Sequence, residues 1–155
     1  MHLEFQSLRG HAIALPAMGS SMEVRIQHSV GKQSIATVRG HRIVCDQPRE
    51  QGGEDGGMTP PELWLAGLGG CAMHYAVEYL RARHLPVEDL DIRVSAEKGG
   101  GPARLVDITV DVEVPALNDD RTRAGLLRAV ETCLLHRTLN NPPRVKVNLT
   151  ELVTH

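Results

Sequence analysis

The feature that most constrains the fold is a long apolar segment over residues 59–80. Thr59 can cap a helix, two prolines that follow it favour the first turn, and Glu62 stands at the capping-box spacing of three. Residues 63–77 are apolar on nearly every side, which predicts a helix buried all round. Pro86 ends this helix.

Three glycines lie inside this predicted helix, at Gly67, Gly69 and Gly70. Each costs about 1 kcal/mol relative to alanine in a helix interior. Close approach of another helix or strand, from this chain or from a second subunit, would compensate for that cost.

The remaining secondary structure follows from hydrophobic periodicity. Alternation of apolar and polar residues predicts strands, at residues 22–27, 34–38, 42–45, 91–98, 106–114 and 145–149. Gly and Pro residues over 46–58 predict a mobile loop. Asn118 is predicted to cap a second helix. Apolar residues recur in it at intervals of three and four up to Leu134, and the helix is predicted to end near residue 140. The order β-β-β-α-β-β-α-β predicts one α+β domain with antiparallel sheets and two main helices.

Composition excludes several functions. The 155-residue chain has a net charge of −2 and only four aromatic residues (one Trp, two Tyr and one Phe), which argues against nucleic-acid or membrane partners. Its longest apolar run is too short and too polar to span a bilayer.

Residues 1–21 are predicted to be a poorly ordered leader before a single domain over 22–155. Three cysteines do not make a disulfide scaffold, and we expect them to be thiols in the cytoplasm.

Two of the cysteines lie on the predicted helices. Cys71 falls in the third turn of the first helix, and Cys133 falls on the apolar face of the second. Neither is predicted at a helix N-terminus, so a reactive thiolate would need a cation from another element. Spacing alone leaves open whether the two thiols meet.

A Pro-rich helix cap that leads to Gly69-Gly70-Cys71, with a second motif that starts at Cys133 downstream, resembles the OsmC/Ohr family of two-cysteine thiol peroxidases. Two groups of motifs carry this resemblance. The first is a series of short motifs that leads from Arg39-Gly40-His41 through the Pro-rich cap, which includes Glu62, to Gly69-Gly70-Cys71. The second is Cys133-Leu134-Leu135-His136-Arg137-Thr138-Leu139 followed by Asn141-Pro142-Pro143. The resemblance covers roughly residues 22–153.

The resemblance implies a fold, an activity and a set of site residues. It implies an OsmC-like fold, an intertwined homodimer, and a site near the subunit interface that needs no cofactor or metal. By this likeness Cys71 attacks an organic hydroperoxide and becomes a sulfenic acid, Cys133 resolves it to a disulfide, and a dithiol reductant reopens that disulfide. Arg39 is the expected cation beside the thiolate, with Arg42 as the alternative, and Glu62 would orient the arginine.

The sequence departs from the family pattern at two places. The orienting Glu is expected ten residues before the first Cys, where this chain has Pro61, while Glu62 is nine residues before it. The second Cys is usually followed by Pro, and here by Leu134. These features resemble a less characterised branch of the family.

Other interpretations of the same residues stay open. Cys71 and Cys133 could be inert core thiols, as we expect Cys45 to be. Glu62 could serve only as the capping partner of Thr59. The two Cys-x-x-His pairs, at 71–74 and 133–136, could form a zinc site. The chain could also be a non-enzymatic module that binds a small apolar or sulfur-containing ligand near Trp64.

Overall fold

The computed structural model describes residues 21–115, 117 and 119–152. It is an α+β fold with two antiparallel sheets and three helices, which confirms the predicted fold class. The strands are β1 (Arg25–His28), β2 (Ser34–Val38), β3 (His41–Cys45), β4 (Asp91–Gly99) and β5 (Arg104–Glu113). The helices are α1 (Pro60–Arg81), α2 (Asp120–Glu131) and α3 (Leu134–Asn140). Residues 1–20 of the proposed leader (residues 1–21) and the predicted cap at Asn118 lie outside the described residues.

Strands β1, β2 and β3 form one antiparallel sheet, and β4 and β5 form a second. In the first sheet Ile26 lies opposite Ala36, and Ala36 lies opposite Ile43. The apolar side chains of Val24, Ile26 and Ile43 are more than half exposed. The face of the sheet that carries these side chains is therefore not fully covered by the described residues of one chain.

The segment between β3 and α1 is organised around Asp46, which is 1% exposed. Its carboxylate accepts hydrogen bonds from the amides of Gln47, Glu54 and Gly56 at 2.8–3.1 Å, and from Gln33 Nε2 at 3.1 Å. These bonds, led by the Gly56 amide, hold the pKa of Asp46 below its usual value although burial opposes them. The predicted mobile loop is therefore a hydrogen-bonded structure built on one buried carboxylate.

Helix α1 begins with the predicted capping box. The Glu62 amide donates to Thr59 Oγ1 at 3.5 Å, and the Thr59 amide donates to Glu62 Oε2 at 2.7 Å. Within one chain the helix buries a single stripe rather than its whole surface, because the other elements pack on one side. The buried stripe consists of Leu68, Ala72, Ala76 and Leu80.

The core forms where this stripe meets α2 and the β4–β5 hairpin. Ala76 and Leu80 pack with Leu126 and Val130 of α2. A Cβ atom at Gly69 would lie 3.0 Å from Val94 Cγ2, so this glycine permits the predicted close approach of a strand. A Cβ atom at Gly70 would have nothing within 4 Å among the described residues.

The prediction of one continuous second helix is wrong, because this segment of the chain forms two helices, α2 and α3. Helix α2 is capped by Asp119, whose Oδ1 accepts from the Thr122 amide at 2.7 Å. It ends at Glu131, and α3 starts at Leu134 after the extended residue Cys133. Apolar residues continue at intervals of three and four across the break between α2 and α3. The sequence pattern therefore did not reveal the break.

The last predicted strand is also absent from the single chain. Residues 141–152 form no helix or strand, and Val145, Val147 and Leu149 are 82%, 92% and 89% exposed. The alternation suits a strand, but a strand needs a neighbour, and this chain supplies none within the described residues. The described residues also include no helix with the length and apolar character needed to cross a membrane.

Candidate active site at two neighbouring thiols

Cys133 lies at the junction of α2 and α3 and is 0% exposed. It is the N-cap of α3, with extended backbone at φ −60° and ψ 152°. Its sulfur accepts a hydrogen bond from the His136 amide at 3.4 Å. The sequence analysis predicted that Cys133 would not lie at a helix N-terminus. That prediction is wrong, because α2 ends two residues before Cys133 and α3 begins directly after it.

The Cys133 thiol has a pKa above its ordinary value. Burial is the largest cause, and the Cys71 thiol adds to it as a hydrogen-bond partner and as a charge. The amides of His136 and Leu135 oppose the shift but do not outweigh it. Cys133 is therefore held as a neutral thiol more firmly than a free cysteine.

Cys71 is the neighbour of Cys133. It lies on α1, is partly buried, and interacts with the Cys133 thiol strongly enough to affect its pKa. Both residues are thiols rather than a disulfide. Cys71 is thus partly buried and Cys133 is fully enclosed, and the helices next to them pack against each other.

An apolar groove lies between α1 and α3, near the thiols but not lined by either cysteine. It has a volume of 200 Å³ and is lined by Leu63, Trp64, Gly67, Leu68, Leu135, Thr138 and Leu139. Gly67 and Leu68 precede Cys71 by one helical turn, so they share its side of α1. Trp64 and Leu139 also line a second apolar depression with Pro60, Pro61, Leu105 and Ile108.

Glu62 lines a separate open cleft of 740 Å³ between α1, β4 and residues 55–58. Its hydrogen bonds with the Thr59 amide and hydroxyl hold its pKa below the usual range, and Lys98 adds a favourable charge. Its interpretation as a capping residue is thus confirmed. No ion pair joins it to an arginine among the described residues.

Arg39 lies in the turn between β2 and β3, with a left-handed φ of 48°. It is exposed, and it lines a shallow depression with Glu23 and Arg25 rather than the groove beside the thiols. Arg42 is an exposed residue of β3, paired in register with Thr37. The single chain therefore brings together the two predicted cysteines but not the predicted arginine and carboxylate.

The residues proposed for zinc do not assemble into a site. His74 is exposed and stacks edge-on against Tyr75, with ring centroids 5.7 Å apart. Over the part of the chain that is described, no group of three or more His, Cys, Asp or Glu side chains is arranged to hold a metal ion. Cys45 is buried at the end of β3, apart from the other two cysteines.

Two contributions to the site were not anticipated from the sequence. The His136 amide binds the Cys133 sulfur, and the groove residues Leu135 and Leu139 come from α3. A local signal exists, since Leu135 and Leu139 are four residues apart and so share a helix face. Their relation to Cys71 depends on how α3 packs on α1.

Comparison with known proteins agrees with this architecture. The family model described as OsmC-like protein matches residues 52–148, well over half of the chain. This chain therefore belongs to the OsmC-like family. No curated protein matches its sequence.

Solved structures share the fold at low identity. An OsmC-like protein from Mycoplasma pneumoniae is 19% identical, with a TM-score of 0.70 over 89% of this chain and 100% of that one. An organic hydroperoxide resistance protein from Legionella pneumophila is 20% identical, with a TM-score of 0.60 over 77% of this chain and 90% of that one. One from Elizabethkingia anophelis is 14% identical, with a TM-score of 0.61 over 81% and 93%.

Proposed function

We propose that this protein is a thiol-dependent peroxidase that reduces organic hydroperoxides through Cys71 and Cys133. The observation that carries the proposal is the pairing of a partly accessible thiol with a fully buried one that interacts with it. Membership of the OsmC-like family supports it, since that family includes organic hydroperoxide resistance proteins.

In the first step the Cys71 thiolate attacks the terminal oxygen of a hydroperoxide. The O–O bond breaks, the alkoxide leaves and takes a proton to become an alcohol, and the sulfur becomes a sulfenic acid. Partial exposure allows the peroxide to reach Cys71. The apolar groove beside it suits an organic rather than an inorganic peroxide.

In the second step Cys133 attacks the sulfenic sulfur. A disulfide forms and the hydroxyl group leaves as water, which prevents further oxidation of Cys71. Burial and a raised pKa make Cys133 a poor first target for peroxide, so the roles divide as proposed. A dithiol then exchanges with the disulfide, restores both thiols and becomes a disulfide itself, as expected in a reducing cytoplasm.

Arg39 and Glu62 complete the proposed site only with a rearrangement or a second copy of the chain. Arg39 would stabilise the thiolate, and Glu62 would orient the arginine. The exposed apolar residues of β1 and of residues 141–152 support a homodimer, because such a surface is otherwise unfavourable in water.

The test is peroxide consumption by reduced protein. With cumene hydroperoxide and a dithiol reductant, the wild type is expected to turn over and Cys71→Ser to be inactive. Without the reductant, Cys133→Ser should stop at the Cys71 sulfenic acid after one oxidation and form no disulfide between positions 71 and 133. Cys45→Ser is the matched control, because it removes a buried thiol outside the pair and should retain turnover. If Cys71→Ser consumes peroxide as fast as the wild type, the proposal is wrong.

A binding module is the second candidate, and Trp64 favours it. This residue is 42% exposed and lines both apolar depressions described above. A non-enzymatic binder of a small apolar or sulfur-containing ligand would change Trp64 fluorescence on titration without consuming peroxide.

A further inference from the structure

A cavity of 410 Å³ lies between the C-terminal end of α1 and one face of α2, away from the thiols. It is lined by Tyr79, Arg83, Arg121, Thr122, Gly125 and Arg128. Its volume falls within the range of small-molecule sites, about 300–1,000 Å³. Neither cysteine of the proposed peroxidase site, nor any residue of its groove, lines it.

Three arginines line this one cavity. Arg121 and Arg128 come from α2, and Arg83 follows the end of α1. The chain as a whole carries a net charge of −2, so an overall positive charge does not explain this cluster of arginines. Like charges around a shared cavity repel each other unless an anion lies between them.

Two carboxylates at the start of α2 make local contacts outside the cavity. Asp119 accepts from the Thr122 amide at 2.7 Å, and Asp120 pairs with Arg123 at 2.7 Å. Among the described residues, no acidic side chain lines the cavity, and none lies within 4.0 Å of the guanidinium groups of Arg121 and Arg128. Hydrogen bonds with Thr122, and to a smaller extent the Arg121 charge, lower the pKa of Asp119, so this carboxylate offsets part of the positive charge. No described carboxylate forms an ion pair with Arg121 or Arg128.

The cavity wall is held in shape by close packing. A Cβ atom at Gly125 would lie 1.9 Å from Tyr79 Oη, so only glycine lets the tyrosine reach α2. Arg83 lies over the Tyr79 ring, with Cζ 3.6 Å from its centroid, and donates to the Tyr79 carbonyl at 3.1 Å. The hydroxyls of Tyr79 and Thr122 add two neutral donors to the three charged groups.

We propose that this cavity binds a small phosphorylated molecule, with its phosphate oxygens held by Arg83, Arg121 and Arg128. Guanidinium groups bind phosphate through paired, charge-assisted hydrogen bonds, and three of them match a multiply charged phosphate or diphosphate. The cavity is large enough to accept an organic group attached to that phosphate. The site is distinct from the thiol pair and does not depend on peroxidase activity.

Calorimetric titration of the full-length protein tests the proposal, at constant ionic strength maintained with chloride. Inorganic pyrophosphate and ribose 5-phosphate are the two probes, and saturable binding of at least one, at one site per chain, is expected. Stronger binding of pyrophosphate would indicate a diphosphate ligand, and stronger binding of ribose 5-phosphate a sugar monophosphate.

The variants Arg121→Gln and Arg128→Gln should each weaken binding about tenfold or more, because each removes charge-assisted hydrogen bonds. Both side chains are exposed, so the variants should fold, and their melting temperatures without ligand verify this. Arg104→Gln is the matched control, since it removes the same charge outside the cavity, and it should bind as the wild type does. Cys71→Ser should also bind normally.

Absence of saturable binding by both probes would overturn the proposal. An equal loss of affinity in Arg104→Gln and Arg128→Gln would also overturn it, because the binding would then reflect overall charge.

Discussion

At the scale of single residues, the two thiols differ because their surroundings differ. Cys133 is enclosed at the start of α3, and Cys71 remains partly accessible on α1. The hydrogen bond that the His136 amide donates to the Cys133 sulfur is a form of helix capping by a thiol, yet burial outweighs it and raises the pKa of Cys133. Position at a helix start is therefore not sufficient to produce a reactive thiolate.

This raised pKa predicts the pH dependence of disulfide formation. Only the thiolate of Cys133 attacks the sulfenic acid, and its fraction grows about tenfold per pH unit below the pKa. Because the pKa is raised, the rate should keep rising through about pH 8.5, the value of an ordinary cysteine. Rapid quenching after one equivalent of cumene hydroperoxide, with mass spectrometry of the disulfide, measures this rate. A plateau below about pH 8 would contradict the prediction.

At the scale of elements, the loop that joins β3 to α1 is more ordered than its composition indicates. Glycines let its backbone fold tightly around Asp46, and a Cβ atom at Gly53 would lie 1.9 Å from the Gln47 carbonyl oxygen. A side chain at position 53 would therefore clash with the backbone, which cannot move aside as a side chain can. The loop also forms one wall of the cleft that Glu62 lines.

Gly53→Ala is therefore expected to destabilise the protein by about 2–4 kcal/mol, the range of strongly unfavourable single substitutions. Gly100→Ala is the control, because nothing lies within 4 Å of a Cβ atom there among the described residues. Urea unfolding measures both free energies. Equal stability of the two variants would show that the loop opens without cost.

Secondary structure was predicted well where the signals are local. The α1 cap was predicted from Thr59 and Glu62, and β1 to β5 from patterns of neighbouring residues, whereas the strand predicted at residues 145–149 does not form because it lacks a pairing neighbour among the described residues. The division between α2 and α3 was not predicted, since no Gly or Pro marks the break at Thr132 and Cys133 and the apolar steps continue across it. Its cause is tertiary, because the chain turns there while it buries the Cys133 sulfur against α1.

At the scale of the whole molecule, the single chain leaves strand-like surfaces uncovered. The side chains of Val145, Val147 and Leu149 alternate as in a strand but are more than 80% exposed. A second copy of the chain would supply both a pairing edge and an apolar surface. It would also offer a route by which Arg39 of one copy reaches the thiols of another.

We expect the protein in solution to have about twice the mass of the 16.9 kDa chain. Val147→Glu should shift it toward monomer, because a charge would then be buried at the proposed interface. Lys146→Glu is the control, since the neighbouring residue points to the other side of an extended segment. Light scattering after size exclusion measures the masses, and a dimeric Val147→Glu variant would place the interface elsewhere.

The sequence by itself determined the local elements, the α+β class and the family likeness, because capping, alternation and motif spacing act between residues close in the chain. Only the tertiary structure decided that the thiols of Cys71 and Cys133 interact, that one of them is enclosed, and that three arginines surround one cavity. Those relations join residues far apart in the chain, and their distances depend on how the helices pack.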